Sequence, residues 1–200
     1  MLKFKDVKSE KTPDVFVFSD PHYNHKNICR WISAWTGDKL HEKTRNYYTL
    51  DEMNTAILSG INKNVKPDDV LICLGDWSFG GFDSVIEFFD EINCKNIHLI
   101  LSENDSLIEK ENNSLKFNFE SLSYADRMII DRENFMLSHY PMSIWPKEHY
   151  HLHGYLHSKP GAHIFENRMD VGLDGHIEFR PYHVMDEIIP LFKEKKLSES

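Results

Sequence analysis

Three short apolar runs, each closed by a polar cluster, constrain this chain more than any other feature. Val15 to Phe18 is apolar at every position, Val70 to Leu74 likewise, and NIHLIL forms a third run with one histidine inside it. A strand with one wet face alternates, whereas a strand covered on both faces does not. All three runs are therefore read as strands buried on both sides. Between them lie two helical segments. Thr49 to about Val65 opens on a Thr49/Glu52 capping box and carries Met53, Ile57 and Ile61 on one face. The second opens on a Ser84/Glu87 capping box and turns Val85, Phe88, Phe89 and Ile92 inward. Strand-helix-strand-helix-strand order suggests a layered α/β domain. Downstream, RMIIDRENFMLSH predicts a hairpin turning at Asp131 to Asn134. RMDVGLDGHIEF predicts another with Asp174-Gly175 as its turn, and Val184 to about Lys195 a closing helix. The expectation is one layered α/β domain with part of its sheet antiparallel.

Two hundred residues suit a single domain spanning 1–200, with about 193–200 expected to fray. The formal charge of −9 argues against an extended nucleic-acid face, which would need Lys and Arg. It leaves room for a small anionic substrate held at a metal, because the metal supplies the positive charge. Cys29, Cys73 and Cys94 make no CxxC pair and are read as reduced thiols of a cytoplasmic protein. The sequence shows no signal-peptide pattern and no apolar run of membrane-spanning length.

The polar clusters carry the chemistry. The first strand ends in Asp20-Pro21-His22, the second in Gly75-Asp76, and the third in Ser102-Glu103-Asn104-Asp105. His139 follows the hairpin strand, and HLHGYLH supplies His151, His153 and His157. Ligands of open α/β sheets gather at the carboxyl ends of strands, so these clusters are expected on one rim. Asp20 and His22 are i and i+2, which point the same way in extended chain. Pro21 withholds a backbone donor and frees the strand tip from the sheet. Taken singly, each residue has an ordinary reading: a turn-forming Asp, or a structural histidine at His25, His139, His151 or His153. Jointly, Asp20, His22 and Asp76 point to a metal site.

Read in order, SDPHYNHKNI, LGDWSFG, LSENDS, LSHYPM and LHGYLH resemble SDxHFGHxNI, LGDxxFG, a GNHD segment, LSHYP and LHGHxH. These are the motifs of small single-domain bacterial and phage members of the calcineurin-like metallophosphoesterase superfamily. The closing MDVGLDGHIEFRPYHVMDEI resembles that subfamily's end as well. The resemblance implies two packed mixed β-sheets flanked by helices, and two divalent ions, with Mn²⁺ first and Fe, Zn²⁺ or Ni²⁺ also suited to the ligands. It implies that Asp20, His22, Asp76 and His157 hold the first ion and that Asp76 bridges. His139 would hold the second, with the Asn of the GNHD segment and the first His of GHxH.

Two motifs depart from that pattern. Tyr155 stands where the first His of GHxH would be. In Ser102 to Asp105, one register makes Glu103 the ligand and puts Asn104 in place of the catalytic His. The other keeps Asn104 as ligand and puts Asp105 in that place. Either way the second site is weakened and a proton donor is lost, an effect of roughly 10²–10⁴-fold where the leaving group needs protonation. His25 is the nearest substitute, and Tyr155, Arg30 and Arg168 are candidate substrate contacts. The implied function is hydrolysis of a small phosphodiester or nucleotide by metal-activated hydroxide attack on phosphorus. The alternatives are an impaired member that binds a ligand or partner through the same rim, and a structural metal-binding domain.

Overall fold

The computed structural model describes residues 1–3, 13–29, 45–111, 118–158 and 164–198. A two-residue strand β1 (Leu2–Lys3) precedes the three apolar runs, which form β2 (Val15–Phe18), β3 (Val70–Cys73) and β4 (Ile97–Ile100). These three are parallel neighbours, with Val15 opposite Val70 and Leu71 opposite Ile97. The parallel β5 (Ser121–Ser123) extends the sheet beyond β4, and an antiparallel strand, Tyr182–His183, lies outside β2. The second sheet holds β6 (Ala125–Ile130), β7 (Glu133–Ser138), β8 (His149–His153), β9 (Ile164–Phe165) and β10 (Arg168–Asp170), making Tyr182–His183 the eleventh strand, β11. Its order is β1-β6-β7-β8-β10-β9. The fold is thus a layered α/β arrangement of two mixed sheets with helices outside.

Double-sided burial explains the unbroken apolar runs. On β2, Phe16 and Phe18 face the helices, while Val15 and Val17 face the second sheet. On β3, Leu71 and Cys73 face the helices, and Val70 and Ile72 face the other sheet. Each such side chain contributes roughly 1.5–3 kcal/mol on leaving water, so neither face tolerates a polar residue. The helix α1 (Leu50–Asn62) packs Met53, Ile57 and Ile61 on the outer core, and α2 (Phe82–Glu91) packs Val85, Phe88 and Phe89. A short α3 (Ser106–Glu111) follows β4, and α4 (Ile189–Ser198) closes the chain. None of the described helices is long and apolar enough to cross a membrane.

The Thr49/Glu52 capping box forms, with Glu52 N donating to Thr49 Oγ1 at 3.1 Å and Thr49 N to Glu52 Oε2 at 3.2 Å. The Ser84/Glu87 box does not. The helix starts earlier, on Gly81, and both side chains go elsewhere: Ser84 Oγ accepts from Asn24 at 2.6 Å and Glu87 from the Tyr23 hydroxyl at 2.9 Å. The β6–β7 hairpin is tighter than expected, turning on Asp131 and Arg132, both at positive φ (49° and 62°), as a two-residue turn of this twist demands. The second expected hairpin is absent. Arg168–Asp170 pairs with β8 and β9, and Leu173 to Gly175 form a 3₁₀ turn that buries Asp174. The closing helix α4 runs to Ser198. Cys29, Cys73 and Cys94 are free and buried.

Candidate metal centre

The two sheets are stitched together at one rim. Ser19 N donates to Val171 O at 3.0 Å, and Leu173 N returns to Ser19 O at 3.1 Å. Beyond Ser19 the chain zips onto the loop after β3, through Asp20 N to Gly75 O at 3.1 Å and His22 N to Asp76 O at 2.9 Å. Asp20 and His22 do not converge as alternate residues of extended chain. Both sit at positive φ (55° and 50°), as do Asp76 (58°) and His157 (48°). Left-handed backbone at a non-glycine residue costs roughly 1–2 kcal/mol, and its concentration here marks a rim shaped for a site. Gly75 is needed where it stands: at φ +95° a Cβ would also lie 2.6 Å from the His139 ring.

Five buried side chains meet at this rim. Ligand atoms of Asp20, His22 and His157 lie within 4.8 Å of one another, and so do those of Asp20, Asp76 and His139. His22 Nε2 is 3.2 Å from His157 Nε2 and 3.1 Å from Asp76 Oδ2. His139 Nδ1 donates to the Leu74 carbonyl at 2.7 Å, which leaves Nε2 turned to the cluster. That nitrogen is buried without a hydrogen-bond partner, 3.8 Å from Asp76 Oδ1. Asp20 belongs to both groups, while Asp76 turns one oxygen to each histidine.

Burial and charge compete at this cluster. Burial pushes the Asp20 carboxyl well up, with His157 offsetting and the Asp76, Asp170 and Asp174 charges adding to the rise. Burial lowers His22 to about 4, so its imidazole is neutral and able to ligate. Asp76 is held well below the carboxylate range, because hydrogen bonds from His22 and Ser102 and the His139 ring outweigh its burial. Burial also opposes charge on His157, yet Asp174 and Asp20 raise it. A neutral His22 imidazole, crowded buried carboxylates and an orphaned ring nitrogen form a donor set that could hold a metal ion. The residues that could hold an ion are Asp20, His22, Asp76, His139 and His157.

The structure separates the two readings of Ser102 to Asp105. Asn104 Nδ2 reaches Asp76 Oδ1 at 2.9 Å, so the Asn104 amide is the one at the cluster. Glu103 is exposed and accepts from the Tyr140 hydroxyl instead. Asp105 does not replace a catalytic histidine. Its buried carboxylate accepts from the N–H groups of Ser102, Asp76 and Trp77 at 2.9, 3.0 and 3.0 Å, and from the Ser102 hydroxyl at 2.9 Å. It is a clamp on the Asp76 loop. Asp105→Ala would strand buried donors at roughly 1–3 kcal/mol each. We expect a thermal melt to show a stability loss of about 3 kcal/mol, and equilibrium dialysis to show weakened ion uptake.

Tyr155 N donates to both Asp20 oxygens at 3.2 and 3.0 Å, and its ring stands edge-on to His139 and Tyr140. It contributes backbone to the cluster and covers the His139 side. His25 Nδ1 is 3.1 Å from His22 Nδ1, and its ring stacks on Phe79 at 3.9 Å. Arg168 donates to the Met142 carbonyl at 3.2 Å and lies over the Phe165 ring. Arg30 lies outside the described residues. His151 and His153 bond backbone groups, His151 those of Met136 and Met142 and His153 that of Gly154.

Two residues at this rim escaped the sequence. Asp174, read as a turn former, accepts from His157 Nδ1 at 2.6 Å. Arg45, fully buried, pairs with Asp174 through Nε at 2.9 Å and Nη2 at 3.1 Å. Nothing local distinguishes either: Arg45 stands in the polar stretch TRNYYT, and LDG is an ordinary turn signal.

The fold and this cluster define an α/β two-sheet protein with a buried Asp/His centre at the carboxyl ends of its strands. A solved structure, described as the protein of unknown function AQ665 from Aquifex aeolicus, is similar to it with a TM-score of 0.58 at 18% identity, over 90% of this chain and 100% of that one. That likeness shows the fold alone. No family model matches the chain, and no curated protein matches it.

Proposed function

We propose that this rim is a two-ion centre that hydrolyses small phosphodiesters or nucleotides. The observation that carries the reading is the convergence of five buried ligand-type side chains from four segments, with His139 Nε2 buried without a hydrogen-bond partner. Bound divalent ions supply a Lewis acid that lowers the pKa of water and offsets charge on phosphoryl oxygens. The chain's own residues set where this happens. Asp20, His22, Asp76 and His157 would hold one ion, and Asp76, Asp20 and His139 the other. Asn104 presents its amide to Asp76, within reach of the same ion once the oxygen is turned inward.

The departures shape the substrate class. Asp105 is spent on backbone, and burial disfavours the protonated form of His25, so neither is a ready proton donor. His25 remains the group proposed to assist the leaving oxygen. With so little proton donor at hand, esters whose leaving group departs without protonation are favoured. The net charge of −9 favours small substrates over long polymers.

Metal-free protein reloaded with Mn²⁺ should hydrolyse bis-p-nitrophenyl phosphate, lose that activity in chelator, and act less well on esters with poor leaving groups. Background rates across diesters, monoesters and cyclic nucleotides would overturn hydrolysis. The covering of the His139 side by Tyr155 and Tyr140 would then favour the binding-module reading. Metal analysis should find close to two ions per chain, and a value near one would mean that the His139 side is too weak to fill.

A further inference from the structure

We infer that Arg45 and Asp174 are positioning residues that set the tautomer of His157 and tie it to Asp20, so that a ligand set is assembled before an ion arrives. This rests on the cluster being an ion site and not on its hydrolysing anything.

The guanidinium has five N–H donors, and the structure supplies five acceptors. Nε and Nη2 grip the two Asp174 oxygens, Nη2 also reaches the Asp20 carbonyl at 2.5 Å, and Nη1 reaches the Pro21 carbonyl at 2.8 Å and Met53 Sδ at 3.7 Å. One side chain therefore binds the backbone of the Asp20 segment and, through Asp174, the His157 ring. Phe179 covers it at 5.2 Å. A carboxylate can only accept, so the 2.6 Å contact to Asp174 Oδ2 places a proton on His157 Nδ1 and turns Nε2 toward His22. A ring nitrogen held by an outer carboxylate is how proteins orient imidazole ligands. Here the outer carboxylate is itself fixed, by a buried arginine that also holds the chain carrying Asp20.

Substituting an amide breaks this logic without removing bulk. In Asp174→Asn, whichever way the amide turns, its NH₂ group faces either Arg45 or His157, and both need an acceptor. Where it faces His157 it donates to Nδ1, moving the ring proton to Nε2, where it points into the cluster. Arg45→Lys keeps the charge but cannot reproduce the fork.

The test uses Co²⁺ and Mn²⁺ titrations by calorimetry, with His157→Ala as comparator. It adds imidazole ¹⁵N NMR of the metal-free protein above the imidazole pH range. The expected result is a folded Asp174→Asn protein whose ion affinity falls about 10- to 100-fold, with the His157 proton moved from Nδ1 to Nε2 wherever the new amide nitrogen faces the ring. Should Asp174→Asn fail to fold, Arg45→Lys is read the same way, by a loss of affinity in its folded form. Unchanged affinity and an unchanged ¹⁵N pattern in a folded variant would overturn the inference, and so would wild-type protein that binds neither ion. Wild-type protein that binds ions but hydrolyses nothing leaves this inference standing and removes the hydrolytic reading.

Discussion

Asp76→Asn is expected to fold normally and to lose the proposed hydrolytic activity by about 10³-fold or more, since several kcal/mol of charge stabilisation would depend on the ions it is proposed to hold. The substitution is nearly isosteric, and an amide oxygen can still accept from Ser102 Oγ and Asn104 Nδ2, which now sit 2.5 and 2.9 Å from Oδ1. The backbone N–H of residue 76 keeps its bond to Asp105. What changes is the other end. Oδ2 faces His22 Nε2 at 3.1 Å, and an NH₂ there donates into the lone pair that an ion would use. One atom's change thus removes a negative charge from both ion groups and caps a histidine ligand. The measurements are kcat/KM on bis-p-nitrophenyl phosphate, ions bound per chain, and the melting temperature. A variant with wild-type turnover would place the chemistry elsewhere.

Much of the fold was legible because double-sided burial writes itself into every position of a strand. Val15 to Phe18 could not be anything wetter while packing against helices on one face and a sheet on the other. The Thr49 box was legible for a similar reason: it is local, and its donors and acceptors lie within four residues. Ser84 shows the limit. The same local pattern lost to distant partners, Asn24 and Tyr23, which only the folded chain brings near.

The candidate site divides the same way. Asp20, His22, Asp76, His139 and His157 were readable as polar residues ending apolar strands, because strand ends in one sheet share one rim. Their local geometry was not, since left-handed backbone at Asp20 and His22 carries no signal in side-chain type. Asp105 and Asn104 are adjacent and equally polar, and only the turn after β4 decides that one clamps backbone while the other meets Asp76. Arg45 was invisible because its partners lie up to 129 residues away and its neighbours in sequence are ordinary.

Gly154→Ala is the most damaging single methyl group this rim can receive. An added Cβ would lie 1.9 Å from Ser19 Oγ, 2.6 Å from Ser19 Cβ and 2.7 Å from Asp20 Oδ2. Ser19 cannot swing aside freely, because its hydroxyl donates to the Leu74 carbonyl at 2.7 Å and its backbone is bonded on both sides to the second sheet. Residue 154 is equally fixed, since its N–H donates to His139 O at 2.9 Å and the next N–H to Asp20. The ends of β2 and β8 must therefore separate, and with them the segments carrying Asp20, His139 and His157. Overpacking of this kind costs about 3 kcal/mol, and we expect a clear drop in melting temperature together with loss of ion binding. The double variant Ser19→Gly/Gly154→Ala tells cause from coincidence. It removes the Ser19 contacts but not the one to Asp20 Oδ2, so it should recover part of the stability and little of the ion affinity. A Gly154→Ala protein with wild-type melting and wild-type ion binding would mean that the two sheets do not meet as closely at this rim as the site requires.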